Sequence, residues 1–162
     1  MATWADFRSA RPDLGDAATA LLYQFGVGLG FLATTRSDGG PRVHPVCPVI
    51  AGDHLFALIV PSPKLADLRR DGRYALHSFP CADNEDAVYL SGRARVEEDL
   101  GHRATVVHQF LDERSQFPMT ESDLADQTLV ELDIATCLIT RTTGHGDPHP
   151  AHTVWHADHP AG

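Results

Sequence analysis

The sequence predicts a mostly β fold, a barrel or sandwich that carries short helices. Three observations point there. Short apolar, β-branched runs recur along the chain, as in GFLATT, HLFALIV and AVYLSGRARV. Clusters of Gly, Asp and Pro that suit tight turns separate them. The run RVHPVCPVI holds two prolines that an interior helix would not tolerate.

Residues 2–24 read as helical, because Trp4, Phe7, Leu14, Ala18, Leu21 and Leu22 recur at three- and four-residue spacing. Pro12 divides this stretch into two segments, with Asp13 and Asp16 as candidate N-caps of the second. The first strand is expected over 30–35 and runs into Arg36-Ser37-Asp38-Gly39-Gly40-Pro41, a hairpin turn. The second covers 42–50. Proline cannot donate to a ladder, so Pro45 and Pro48 must lie at an edge, at a bulge, or where the strand changes partner. A turn at Ala51-Gly52-Asp53 leads to a third strand over 54–60.

A short helix over 65–70 follows, with Leu65 and Leu68 inward and Asp71-Gly72 as its stop. Strands are expected over 73–79 and 87–96, the latter with a bulge at Gly92. Residues 99–114 read as a helix that places Ala104, Val107, His108 and Leu111 on one face. A long strand over 128–140 and a last strand over 152–156 complete six or seven antiparallel strands. The expected organisation is a single domain over 1–162: helices at 2–24, a barrel at about 26–140 and a His- and Pro-rich tail at 144–162.

Composition narrows the partners. The 162 residues and 43% hydrophobic content suit one core. A net charge of −9 repels phosphate backbones, which argues against nucleic acid as a partner. No apolar run approaches the ~20 residues of a membrane helix, and the charged first residues do not resemble a signal peptide. Cys47, Cys81 and Cys137 form no CxxC pair, so free thiols in a reducing, cytoplasmic compartment are expected.

Chemistry concentrates between 42 and 79. Ser62-x-Lys64 stands where a strand meets a helix start, whose unpaired N–H groups and dipole favour an anion. With Arg42 added, these residues form a candidate phosphate cradle. Lys64, Arg69, Arg70 and Arg73 against Asp67 and Asp71 make a local charge of +2 inside an acidic chain. The competing reading is a set of solvated charges on a helix surface.

The order GFLATTRSDGGPRVHPVCPVI, then HLFALIVPSPKLADLRRDGRYALHSF, then VYLSGRARV resembles the pyridoxamine 5′-phosphate oxidase-like proteins with the FMN-binding split β-barrel. The resemblance covers about 26–97 and, more loosely, extends to about 140. It implies a split barrel working as a homodimer, with FMN in the dimer groove. Arg42, Val43, His44, Pro45 and Val46 would lie along the flavin. Ser62 and Lys64 match phosphate-binding positions, with Arg69 or Arg70 assisting, and His77 and Ser78 match a strand near the cofactor. The partner would add residues from about 88–93 or from the tail with Trp155. True pyridoxamine phosphate oxidases close on an arginine-bearing R-L-x-P segment. This chain has no arginine after Arg141, so vitamin B6 oxidation is not expected.

The resemblance therefore implies a flavin-dependent oxidoreductase acting on a small, planar substrate. The alternatives are a reductase using the deazaflavin coenzyme F-420 and a non-catalytic flavin or haem binder. No residue is assigned as catalytic. His44 and His77 read either as hydrogen-bonded core histidines or as donors to a flavin or its substrate. Five histidines fall in the tail: His145, His149, His152, His156 and His159. His152 and His156 would stand about 13 Å apart on an extended strand, so no metal site is assigned there.

Overall fold

The computed structural model describes residues 1–157. Two helices, α1 (Trp4–Ala10) and α2 (Pro12–Leu22), precede strands β1 (Gly30–Thr35), β2 (Pro41–Val46), β3 (Pro48–Ala51) and β4 (His54–Ile59). Then come α3 (Pro63–Arg70), β5 (Arg73–Ser78), β6 (Ala87–Val96) and α4 (Leu100–Glu113), followed by a 3₁₀ turn at Glu121–Leu124. Strands β7 (Thr128–Arg141) and β8 (Ala151–His156) end the described chain.

Thr3 caps α1 through a capping box with Asp6. The second helix starts one turn earlier than Asp16 would set it. Pro12 occupies its first position, Arg11 its cap position, and Asp13 lies in its first turn, where the Arg11 guanidinium grips it at 2.7 Å. Neither Asp13 nor Asp16 is therefore the N-cap.

The strands form one antiparallel sheet in the order β2-β1-β5-β6-β7-β4-β3, with β8 pairing β7. Strands β2 and β3 are thus the two ends of this path, yet Cys47 alone separates them in sequence. A chain that passes from one sheet edge to the other within one residue must have those edges side by side. The sheet is therefore curled into a barrel whose seam is not laddered, a split barrel. The single expected strand over 42–50 is in fact two. Of the roles open to its prolines, the change of partner is the one realised: β2 pairs β1 and β3 pairs β4. The described strands number eight for that reason.

Gly92 sits at a register break between β6 and β7, where an added Cβ would stand 1.9 Å from the Asp133 carbonyl oxygen. Gly72 ends α3 with φ +75°. The main core lies inside the barrel and under α1 and α2, where Trp4, Phe7, Leu14, Ala18, Leu21 and Leu22 are all buried. A second cluster joins α4 to the outside of β3 and β4. The face that α4 buries differs from the expected one. Val106, Val107, Phe110 and Arg114 are buried, whereas Ala104 and His108 are exposed. The arc is set by Val106 and Phe110 packing in one cluster with Val49 and Phe56. Among the described residues no helix is long and apolar enough to cross a membrane.

Candidate functional site

The site is built around the start of α3. Ser62 holds the cap position in extended backbone, with Pro63 next. Its hydroxyl oxygen is buried and has no hydrogen-bond partner among the described residues, an arrangement that native interiors rarely leave unanswered. Lys64 is the only lysine of the chain. It is half-buried and has no ion pair among the described residues. Burial pushes its ammonium below the usual lysine range, with the Cys47 thiol at the barrel seam working weakly the other way.

The other charges near α3 are largely spent on one another. Arg42 reaches from β2 to the buried Asp67 at 2.7 Å, Thr34 donates to the same carboxylate at 3.0 Å, and Arg70 joins at 3.2 Å. Asp71 pairs with Arg73 at 2.6 Å. Within the local +2, Lys64 and Arg69 are the cations that pair with no carboxylate among the described residues. Arg69 points towards Thr128 of β7 and borders a cavity of about 660 Å³ that Ser62 and Arg70 also line. Asp67 and its partners face β1 and β2.

Alternation along β2 divides the expected flavin-side residues between two faces. Register links His44, Leu32, Leu76, Leu90, Cys137 and Trp155 in one rank across six strands. The middle four are buried, so this is the core face, and His44 and Trp155 terminate it at opposite ends. Arg42 and Val46 share that face. The next rank, Pro45-Phe31-His77-Tyr89-Leu138-Val154, lies on the outer face. Val43 shares it at 58% exposure, and Phe31 stacks on Phe79 at 4.4 Å.

The remaining expected residues fall as follows. Ser78 is fully buried, and its hydroxyl accepts the Val88 N–H at 3.2 Å, which commits that hydroxyl to joining β5 and β6. His77 is exposed on the outer face, and its Nδ1 bonds the Ser78 carbonyl at 2.7 Å. Trp155 packs on its own chain, with its ring 4.9 Å from that of Phe7. His152 and His156 bond Thr140 and Thr136 of β7, and His159 lies outside the described residues. All three cysteines are free; Cys137 is buried and the other two are half-buried. The sequence reading missed Asp67, counting it only as a charge. Its place between Leu65 and Leu68, on the inward arc of a short helix, was the available signal.

No family model and no curated protein matches the sequence. Solved structures do match in fold. A haem-binding protein from Mycobacterium smegmatis aligns with 88% of the chain at TM-score 0.60 and 19% identity, and the chain spans 58% of that protein's length. The haem storage protein HutZ of Vibrio cholerae aligns over 76% of the chain and 91% of its own, at TM-score 0.59 and 16% identity. A putative pyridoxamine 5′-phosphate oxidase from Listeria innocua aligns over 76% and 95%, at TM-score 0.60 and 18% identity. At such identities the likeness is one of architecture, and it agrees with the curled, seamed sheet of this chain: the fold is a split barrel.

Proposed function

We propose that the protein binds FMN as a symmetric dimer and serves as a flavin-dependent oxidoreductase for a small, planar substrate. The observation that carries this reading is a pair of unanswered polar groups at one helix start. Among the described residues the Ser62 hydroxyl has no partner and the half-buried Lys64 ammonium has no counter-charge. A terminal phosphate answers both and also accepts from the first-turn N–H groups of α3. Arg42 adds positive potential from β2, although Asp67 shares its charge. Bound flavin supplies hydride or electron transfer, and the chain supplies the cradle, the orientation and the exclusion of water. Strand β2 is suited to lie along the ring, because among the described residues β1 is its only sheet partner and its other edge is not laddered.

The outer rank supports the dimer. Val43, Pro45 and Phe31 on one side of His77, and Tyr89, Leu138 and Val154 on the other, give one sheet face an apolar strip, and a second copy with the same strip covers it isologously.

Two neighbours bind or store haem and one is a putative oxidase, so haem is the ligand to test FMN against. Mass spectrometry of the small molecule released from denatured protein distinguishes FMN, the deazaflavin and haem. Titrating ligand-free protein with FMN while following flavin fluorescence measures the cradle directly. K64A is expected to weaken binding at least tenfold, the worth of one charge-assisted contact. The absence of saturable FMN binding, or equal affinity in K64A, refutes the reading. Steady turnover with a reduced nicotinamide donor separates an enzyme from a binder.

A further inference from the structure

A second cluster lies outside the barrel, under the start of α4 and away from the α3 cradle. Glu131 of β7 is 1% exposed, on a strand whose neighbouring positions are Val130 and Leu132. Two groups meet it: His54 Nδ1 stands 2.7 Å from one carboxylate oxygen, and the Arg95 guanidinium forms an ion pair with the other. His102, the third residue of α4, repeats the arrangement, with Nδ1 3.1 Å from Glu97. The two imidazole centroids are 5.2 Å apart, and both rings line one cavity of about 320 Å³ together with Asp53, Phe56 and Thr105.

The chemistry of this cluster favours a cation. Nδ1 of each ring is turned to a carboxylate, which leaves Nε2 as the nitrogen free to meet a ligand. Carboxylate-oriented imidazole of this kind is the usual support of metal-binding histidine. The charges agree. Among the described residues Arg95 is the guanidinium that pairs with Glu97, Glu131 and Asp133, at 3.7 Å to Glu97 and 3.4 Å to Asp133. Three carboxylates against one guanidinium leave two negative charges to be balanced around the imidazoles. A divalent ion neutralises them.

We propose that His54 and His102 form a two-imidazole site for a divalent transition metal of the zinc class. Among the described residues no group of three or more His, Cys, Asp or Glu side chains converges on a metal position. The remaining coordination places therefore belong to water, and the site is open and exchangeable rather than structural. It is independent of the flavin reading.

To exclude any contribution from the tail histidines, the test uses the full chain carrying H145Q, H149Q, H152Q, H156Q and H159Q. Calorimetric titration with Zn²⁺ is expected to show one equivalent bound. H54Q and H102Q in that background should each lower the affinity at least tenfold, and E131Q should lower it about 10–100-fold, as loss of an outer-shell partner does. Absence of zinc uptake, or binding unchanged by H54Q or by H102Q, overturns the site. Should a variant fail to fold by circular dichroism, imidazole ¹⁵N spectra of the tail-substituted protein decide the matter. On zinc addition the Nε2 resonances of His54 and His102 must move together; if either stays still, the proposal fails.

Discussion

Arg42 of β2 and Asp67 of α3 are joined at 2.7 Å across 25 residues of sequence, and that ion pair fastens the short helix to the edge of the barrel. The same carboxylate also holds Thr34 of β1, so one buried acid ties three elements together.

Asp67→Asn keeps the shape and removes the charge. Two guanidinium groups then lose their partner, but both are partly exposed and water compensates them in part. A loss of about 2 kcal/mol is expected, read as a lower midpoint in urea. The pH dependence has a defined sign. Burial works to raise the Asp67 carboxyl, and the bonds from Arg42, Thr34 and Arg70 outweigh it and hold it below the usual range. A folded pKa below the unfolded one stabilises fully above the unfolded value and is lost as pH falls through the folded one. Thermal melts should therefore decline below about pH 4, and D67N should decline less steeply than the parent.

Gly92→Ala is expected to be among the costliest methyl additions in the chain. The new Cβ would stand 1.9 Å from the Asp133 carbonyl oxygen, a backbone atom that moves only if the β6–β7 ladder moves. About 3 kcal/mol of destabilisation follows, measurable by denaturant unfolding. A midpoint within experimental error of the parent would contradict the close approach at the bulge.

The three thiols should differ sharply in reactivity. Cys137 is fully buried in the core rank, and burial pushes its thiol up to about 12. Cys47 and Cys81 are half-buried. Alkylation of native protein followed by peptide mass mapping should label Cys47 and Cys81 first and Cys137 only on unfolding. Burial also raises the Cys81 thiol, which slows its alkylation relative to an exposed thiol.

Val43→Glu tests the outer strip. Val43 is 58% exposed, so the substitution leaves the monomer's core intact. Placed beside Ala33 on the proposed self-complementary face, the added charge meets its own symmetry copy. Sedimentation should show a dimer for the parent and a monomer for V43E. A parent that sediments as a monomer would remove the dimer from the functional proposal.

What could be read from the sequence was the local part. Hairpin turns, the Gly92 bulge, the stop at Gly72 and the inward leucines of α3 depend on a few neighbouring residues, and each is found as expected. The α4 face was misread because periodicity alone fitted more than one arc. Contact with Val49 and Phe56 chose the arc holding Val106 and Phe110.

The sequence by itself determined where most strands and turns fall, 42–50 excepted, and that a helix start carries Ser62 and Lys64, since backbone sterics and hydrogen-bond chemistry act over short range. Only the tertiary structure decided that 42–50 crosses the barrel seam at Cys47, that Arg42 and Val43 serve opposite faces, and that Asp67 absorbs the Arg42 charge. It likewise brought His54 and His102 together from β4 and α4. Those outcomes depend on which distant strands pair, and pairing is settled by the closure of the whole sheet around its core.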